Sequence, residues 1–96
     1  MVKTTAFDAA QYLKRPEAQM ELLEEAFESG DPKFVAHALG IIARARGISN
    51  IAQETGLSRE ALYKSLSSEG NPTITTVMDV MRAVGLKLSA HKTSAA

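Results

Sequence analysis

The side chains best suited to recognising another molecule lie between Ser58 and Ser67. Read as a helix, this stretch turns Ser58, Arg59, Glu60, Tyr63, Lys64 and Ser67 outward together. Leu62 and Leu66, four residues apart, turn inward and can hold the helix to a core. The outward set combines a guanidinium, an ammonium, a phenol and hydroxyls. Such a donor-rich face suits the base edges and phosphates of a DNA major groove, where an arginine can bond guanine through two parallel N–H groups. Arg59 is the strongest candidate for that contact.

No other part of the chain carries comparable chemistry. His37 and His91 are far apart and have no clustered companions, and cysteine is absent, so neither a metal site nor a disulfide is expected. Ser58 lacks a Gly-x-Ser-x-Gly setting, no glycine-rich loop can cradle a phosphate, and the adjacent Glu24 and Glu25 point to different sides of a helix. Met20, Met78 and Met81 sit at core spacing and read as filler. The chain is expected to be no enzyme and to need no cofactor.

The elements that position the outward face are visible in the residues before it. Ser49 can cap a helix in which Ile51, Ala52 and Thr55 share a face, and the small Ala52 lets a second helix cross closely. Gly56 falls where the chain must reverse, in a backbone region that glycine enters without steric cost. Leu57 can plug the corner, and Ser58 can cap the next helix. Two short core helices joined by a glycine would share part of this pattern. Small residue, glycine, plug, cap and polar face falling in register favour a helix-turn-helix.

Around this unit the pattern is helical. Thr4 to Lys14 holds a turn or two, with Asp8 as a cap and Phe7, Tyr12 and Leu13 as anchors. Pro16 opens a helix to Glu28 with a Met20, Leu23, Phe27 stripe opposite five glutamates, ended by Ser29-Gly30. Asp31-Pro32 starts another, running to Arg46, with Val35, Ala38, Leu39 and Ile42 buried; Gly47 stops it. Thr73 caps a last helix over 74–84, with Ile74, Val77, Met81 and Val84 toward the core and Val80 and Met78 flanking. Gly85 ends it. Leu86 to Ala90 alternates apolar and polar as a short strand does, and such a strand would need a partner in a second copy or another chain. His91 to Ala96 reads as a flexible tail.

Composition bounds the possibilities. The 96 residues fit one small domain, and 45% hydrophobic with only 5% aromatic residues favours a helical core. No apolar run approaches the roughly 20 residues that span a bilayer. The start of the chain lacks a signal-peptide pattern, and the absence of cysteine suits the cytoplasm. The formal net charge is zero, but it is unevenly spread. Through Asp31, Lys3, Lys14 and Arg15 face seven acids; from Pro32 onward eight bases outnumber Glu54, Glu60, Glu69 and Asp79. The helix-turn-helix thus lies in the basic part, where cations can neutralise phosphates. The acidic third is free to meet a basic protein, or is simply a solvated helix face.

Three runs together resemble a known family. They are Asp31-Pro32-x-Phe34-x-x-x-Ala38-Leu39-Gly40-x-Ile42-Ala43-Arg44-Ala45-Arg46-Gly47, then Ile51-Ala52-x-x-Thr55-Gly56-Leu57-Ser58-Arg59-Glu60-x-Leu62-Tyr63-x-x-Leu66-Ser67, then Gly70-Asn71-Pro72. Phe7-Asp8-x-Ala10-x-Tyr12-Leu13 and Gly85-Leu86-x-Leu88 extend the likeness over roughly residues 5–90. The pattern is similar to the probable addiction module antidote family, small bacterial and prophage antitoxins related in role to the HigA antitoxins. Thr75 and Thr76 and the tail after Ala90 depart from it.

The resemblance implies an all-α, lambda-repressor-like (Cro/C1-type) helix-turn-helix bundle of about five helices. It divides into an acidic helical extension over 1–30, a DNA-binding domain over 31–90 and a tail over 91–96. It further implies a homodimer that neutralises a small basic toxin of the RelE/ParE superfold and represses the shared operon by binding operator DNA. Ser58, Arg59, Glu60, Tyr63, Lys64 and Ser67 would then face DNA, and Ser49 and Asn50 would meet phosphates. Two places suit the toxin: the acidic face with Glu21, Glu24 and Glu28, or Leu86 and Leu88 by strand addition. The alternative is a stand-alone prophage-type transcriptional regulator without a toxin.

Overall fold

A computed structural model describes residues 12–93. The expected helical turns before Tyr12, with Asp8 and Phe7, lie outside the described residues. Five helices follow: α1 Pro16–Ser29, α2 Pro32–Arg46, α3 Ile48–Thr55, α4 Arg59–Ser65 and α5 Ile74–Ala83. The expected all-helical bundle is therefore observed among the described residues, and it is compatible with a helix-turn-helix formed by α3 and α4.

Local chemistry sets most of the helix ends. Pro16 and Pro32 open α1 and α2, where a missing N–H costs nothing. The Asp31 carboxylate accepts the Lys33 N–H at 2.9 Å, Ser58 Oγ accepts the Ala61 N–H at 3.0 Å, and Thr73 Oγ1 accepts the Thr76 N–H at 3.1 Å. Each satisfies one donor that the first helical turn leaves over. Ser49 is not a cap. Gly47, at φ +103°, ends α2 and begins α3 in a single residue. Its carbonyl takes the N–H groups of Asn50 and Ile51, so the helix starts one residue before Ser49 and no side chain caps it.

Helix α2 packs against all four other helices, and α3 also packs against α4 and α5. Ala36, Ala38, Leu39, Gly40, Ile42 and Ala43 of α2 are all buried. This wide, small-residue surface lets neighbours approach closely from several sides. Leu62, Leu66, Ile51, Val80 and Val84 complete the core around it, and Leu23 and Ala26 of α1 join the same cluster.

The expected stripe of α1 is rotated, whereas Val77 and Met81 of α5 and Val84 just after it are buried as expected. In α1 the buried residues are Ala18, Gln19, Leu23 and Ala26; Met20 and Phe27 are 48% and 39% exposed. The small alanines are buried, and the larger side chains are left at the surface. In α5, Val80 is fully buried, whereas Ile74 is 65% and Met78 47% exposed. Only Met81 of the three methionines expected as core filler is buried. The segment 86–93 forms no strand. Leu86 N–H bonds the Met81 carbonyl at 2.8 Å, and the described residues contain no strand for the segment to join. Leu86 and Leu88 nevertheless turn toward the core, and Lys87 and Ser89 turn away, so the alternation remains without the ladder.

Gln19, 1% exposed, is the only buried polar side chain among the described residues, and it holds α1 in place. Its Nε2 donates to the Leu13 carbonyl at 2.9 Å, and its Oε1 accepts from Arg46 Nε at 2.8 Å. Arg46 Nη2 donates to the Val84 carbonyl at 3.1 Å. One guanidinium thus joins α1, the end of α2 and the end of α5. Arg46→Ala is expected to cost about 1–3 kcal/mol, because the buried Gln19 oxygen loses its donor. The double change Gln19→Leu with Arg46→Met should recover part of that loss in urea unfolding. Equal stability of Arg46→Ala and wild type would show that water replaces the guanidinium.

Candidate nucleic-acid interface

The turn between α3 and α4 is built from short-range bonds. Gly56 takes the left-handed conformation, φ 77° and ψ 7°, and its N–H reaches the Ala52 carbonyl. The Thr55 hydroxyl donates to the Ile51 carbonyl at 2.8 Å and accepts the Leu57 N–H at 3.3 Å. A residue read from sequence only as part of the α3 face therefore stitches the helix end to the turn. Leu57 is half-buried and packs on the core as the corner plug.

Helix α4 is anchored along its length. Leu62 is 0% and Leu66 1% exposed. Two glycines close in on its C-terminal end. A Cβ at Gly40 would overlap the Leu66 carbonyl, and a Cβ at Gly70 would overlap the Ser65 carbonyl. The backbone of α2 and that of the loop after α4 thus lie directly against this helix end. The sequence contained both glycines, but which backbone each one faces follows only from packing.

With the inner side held, the outer side presents the expected residues. Arg59, Glu60 and Lys64 are exposed, Tyr63 is 43% exposed, and Ser67 is half-buried. Among the described residues the ion pairs are Arg15–Glu17 and Arg82–Asp79, so Arg59 and Lys64 have no carboxylate partner. Two hydroxyls are partly committed: Ser58 Oγ caps α4, and Ser67 Oγ donates to the Lys64 carbonyl at 3.1 Å. Ser58 retains its hydroxyl proton for a further acceptor. Ser49 and Asn50 lie exposed in the first turn of α3. This surface can donate to an anionic, groove-shaped partner.

A second feature lies beside α1. An open groove of about 430 Å³ is lined by Met20, Leu23, Glu24, Phe27 and Glu28 of α1, by Met81 of α5, and by Leu86, Lys87, Leu88, Ser89 and His91. Two regions expected separately as partner sites therefore meet: Glu24 and Glu28 stand on one wall, Leu86 and Leu88 on the other. Glu21 stands apart and accepts the Tyr12 phenol proton at 2.9 Å, a bond that raises the phenol pKa. Sequence reading did not place Met20, Phe27, Met81 or His91 in a partner site, and the apolar stripe of α1 was the one sign of the first two.

Among the described residues no helix is long and apolar enough to cross a membrane, and no group of three or more His, Asp or Glu is arranged to hold a metal ion.

Comparison with known proteins yields two likenesses. A family model described as "Probable addiction module antidote protein" matches residues 3–92. A protein of Haemophilus influenzae, described as uncharacterized, is 44% identical over 86 residues, which cover 90% of this chain and 89% of that protein. No solved structure matches the chain.

Proposed function

Because the chain belongs to the probable addiction module antidote protein family, we propose that it is the antitoxin of a type II module, binding a small basic RelE/ParE-like toxin and repressing its own operon through α3 and α4. The observation that carries the DNA half is the outer face of α4. A helix capped by Ser58 and held by Leu62 and Leu66 presents Arg59, Tyr63 and Lys64 with both cations unpaired.

In this reading α4 enters the major groove. Arg59 donates two parallel bonds to the O6 and N7 of a guanine. Tyr63 and Lys64 reach a base or a phosphate, Glu60 and Ser67 border the contact, and Ser58 donates its free proton. Ser49 and Asn50 meet the backbone at the start of α3, where the free N–H groups of the helix favour an anion. Two copies pair and set their α4 helices about 34 Å apart on a near-palindrome. Residues 31–90 carry the DNA contacts, and the acidic helix within residues 1–30 serves the protein partner together with Leu86 and Leu88. Such a protein acts by occupancy and requires no catalytic group or cofactor.

Arg59→Ala is expected to cost about 1–3 kcal/mol of operator binding and to relax preference at one base pair, whereas Lys64→Ala should weaken all sequences alike and lower the salt slope by about one. Gel shifts on the upstream DNA, over a range of salt and with single-base variants, separate these. Equal loss on every sequence for Arg59→Ala would assign it to a phosphate. Co-expression with an adjacent reading frame for a small basic protein tests the toxin half. A complex that restores growth supports the antitoxin reading. Tight operator binding with no complex would leave a stand-alone prophage-type regulator.

A further inference from the structure

We propose that the groove between α1 and residues 86–91 is the seat of the toxin, which enters it with a basic segment carrying two or more apolar side chains. The inference rests on the antitoxin reading above and adds a location and a chemistry to it.

The groove is apolar where a partner would insert and acidic where it would be flanked. Leu23 and Met81, 3% and 4% exposed, form its floor. Met20 and Phe27 stand at its margin with 48% and 39% of their surface open. A small domain gains by burying such side chains, and methionines adapt their shape to what covers them. Leu86 and Leu88 continue the apolar lining on the facing wall.

Charge selects the occupant. Helix α1 contains Glu17, Glu21, Glu24, Glu25 and Glu28 and no basic residue. Glu24 and Glu28 line the groove one helical turn apart, and neither takes part in an ion pair among the described residues. Lys87 and His91 on the facing wall form no ion pair with them. Two unpaired carboxylates beside an apolar floor suit lysines or arginines that flank apolar anchors, and they repel an acidic segment. DNA is excluded from this face by the same charge. The separation is useful, because the cations of α4 stay free for an operator while the groove is filled.

The test uses the full chain with the protein of the adjacent basic reading frame, titrated in solution against wild type, Glu24→Lys with Glu28→Lys, and Met20→Ser with Phe27→Ser. Either pair should weaken the complex by about a hundredfold or more, since flanking charges and a buried aromatic anchor each carry a large share of such interfaces. The charge pair should also reduce the salt dependence. Melting temperature and operator binding, read on the same samples, should stay as in wild type. A wild-type complex that neither variant weakens would overturn the groove and leave the antitoxin reading intact. No complex with wild type would remove that reading and the groove with it. Variants that dissociate a dimer but keep the toxin would show that a second copy occupies the groove, which also overturns the proposal.

Discussion

Gly40→Ala is expected to destabilise the chain by about 2 kcal/mol or more, against the sign that helix propensity alone would give. In an ordinary helix interior, replacing glycine by alanine stabilises by about 1 kcal/mol. Gly40 lies in the middle of α2 and is buried, and an added Cβ would overlap the Leu66 carbonyl. A backbone atom cannot swing aside as the end of a side chain can. The helix pair must separate, at about 1–3 kcal/mol or above for overpacking of this kind. A domain of this size then melts roughly 10 °C lower. Thermal melts read the sign directly, and a more stable Gly40→Ala would refute the close approach of α2 to the end of α4. The effect reaches function as well, since the displaced element is the helix with Arg59, Tyr63 and Lys64 on its outer face.

Leu62→Ala is expected to cost about 2–5 kcal/mol, the range for a leucine removed from a closed core. Leu62 is 0% exposed and lies among the residues of α2, α3 and α5 in one cluster. A domain of this length has only about 5–14 kcal/mol in total, so the loss takes a large part of it. The same change leaves every outward residue of α4 in place. If operator binding depends on a rigid α4, binding falls at temperatures where circular dichroism still reports helix, and it recovers on cooling. A loss under 1 kcal/mol in urea unfolding would mean that Leu62 is not the anchor of α4.

The two changes differ in how far the sequence announces them. Leu62 and Leu66 stand four apart opposite a polar face, so their burial is legible from periodicity. Gly40 carries no local sign of its role. Its helix would form with any residue but proline there, and the reason for glycine is a carbonyl that arrives from the end of another helix. The same holds for Gln19. A glutamine on a glutamate-rich helix reads as surface, yet it is buried because Arg46 and the Leu13 carbonyl satisfy it there.

The α1 stripe shows where periodicity stops. Met20, Leu23 and Phe27 mark an apolar side of the helix correctly, but the helix buries its smaller residues, Ala18 and Ala26, and leaves Met20 and Phe27 at the surface. An amphipathic pattern states that a face needs cover. It does not say which neighbour covers it, nor whether that neighbour lies in the same chain. Ile74 and Met78 in α5 are open for the same reason.

Features whose causes span a few residues are therefore legible along the chain. These are the caps at Asp31, Ser58 and Thr73, the left-handed turn at Gly56, the proline starts of α1 and α2, and the donor-rich outer face of α4. Each depends on bonds or steric limits within about one helical turn, so residue type and spacing suffice. The runs read as similar to the antidote family, whose model matches residues 3–92, contain several of these same local requirements. Packing between distant segments sets the close approach of Gly40 to the end of α4 and the tie that Arg46 makes among three helices through Gln19. It alone brought Glu24 and Glu28 beside Leu86 and Leu88. Those relations join segments distant along the chain, and close packing, which has no sequence period, selects them.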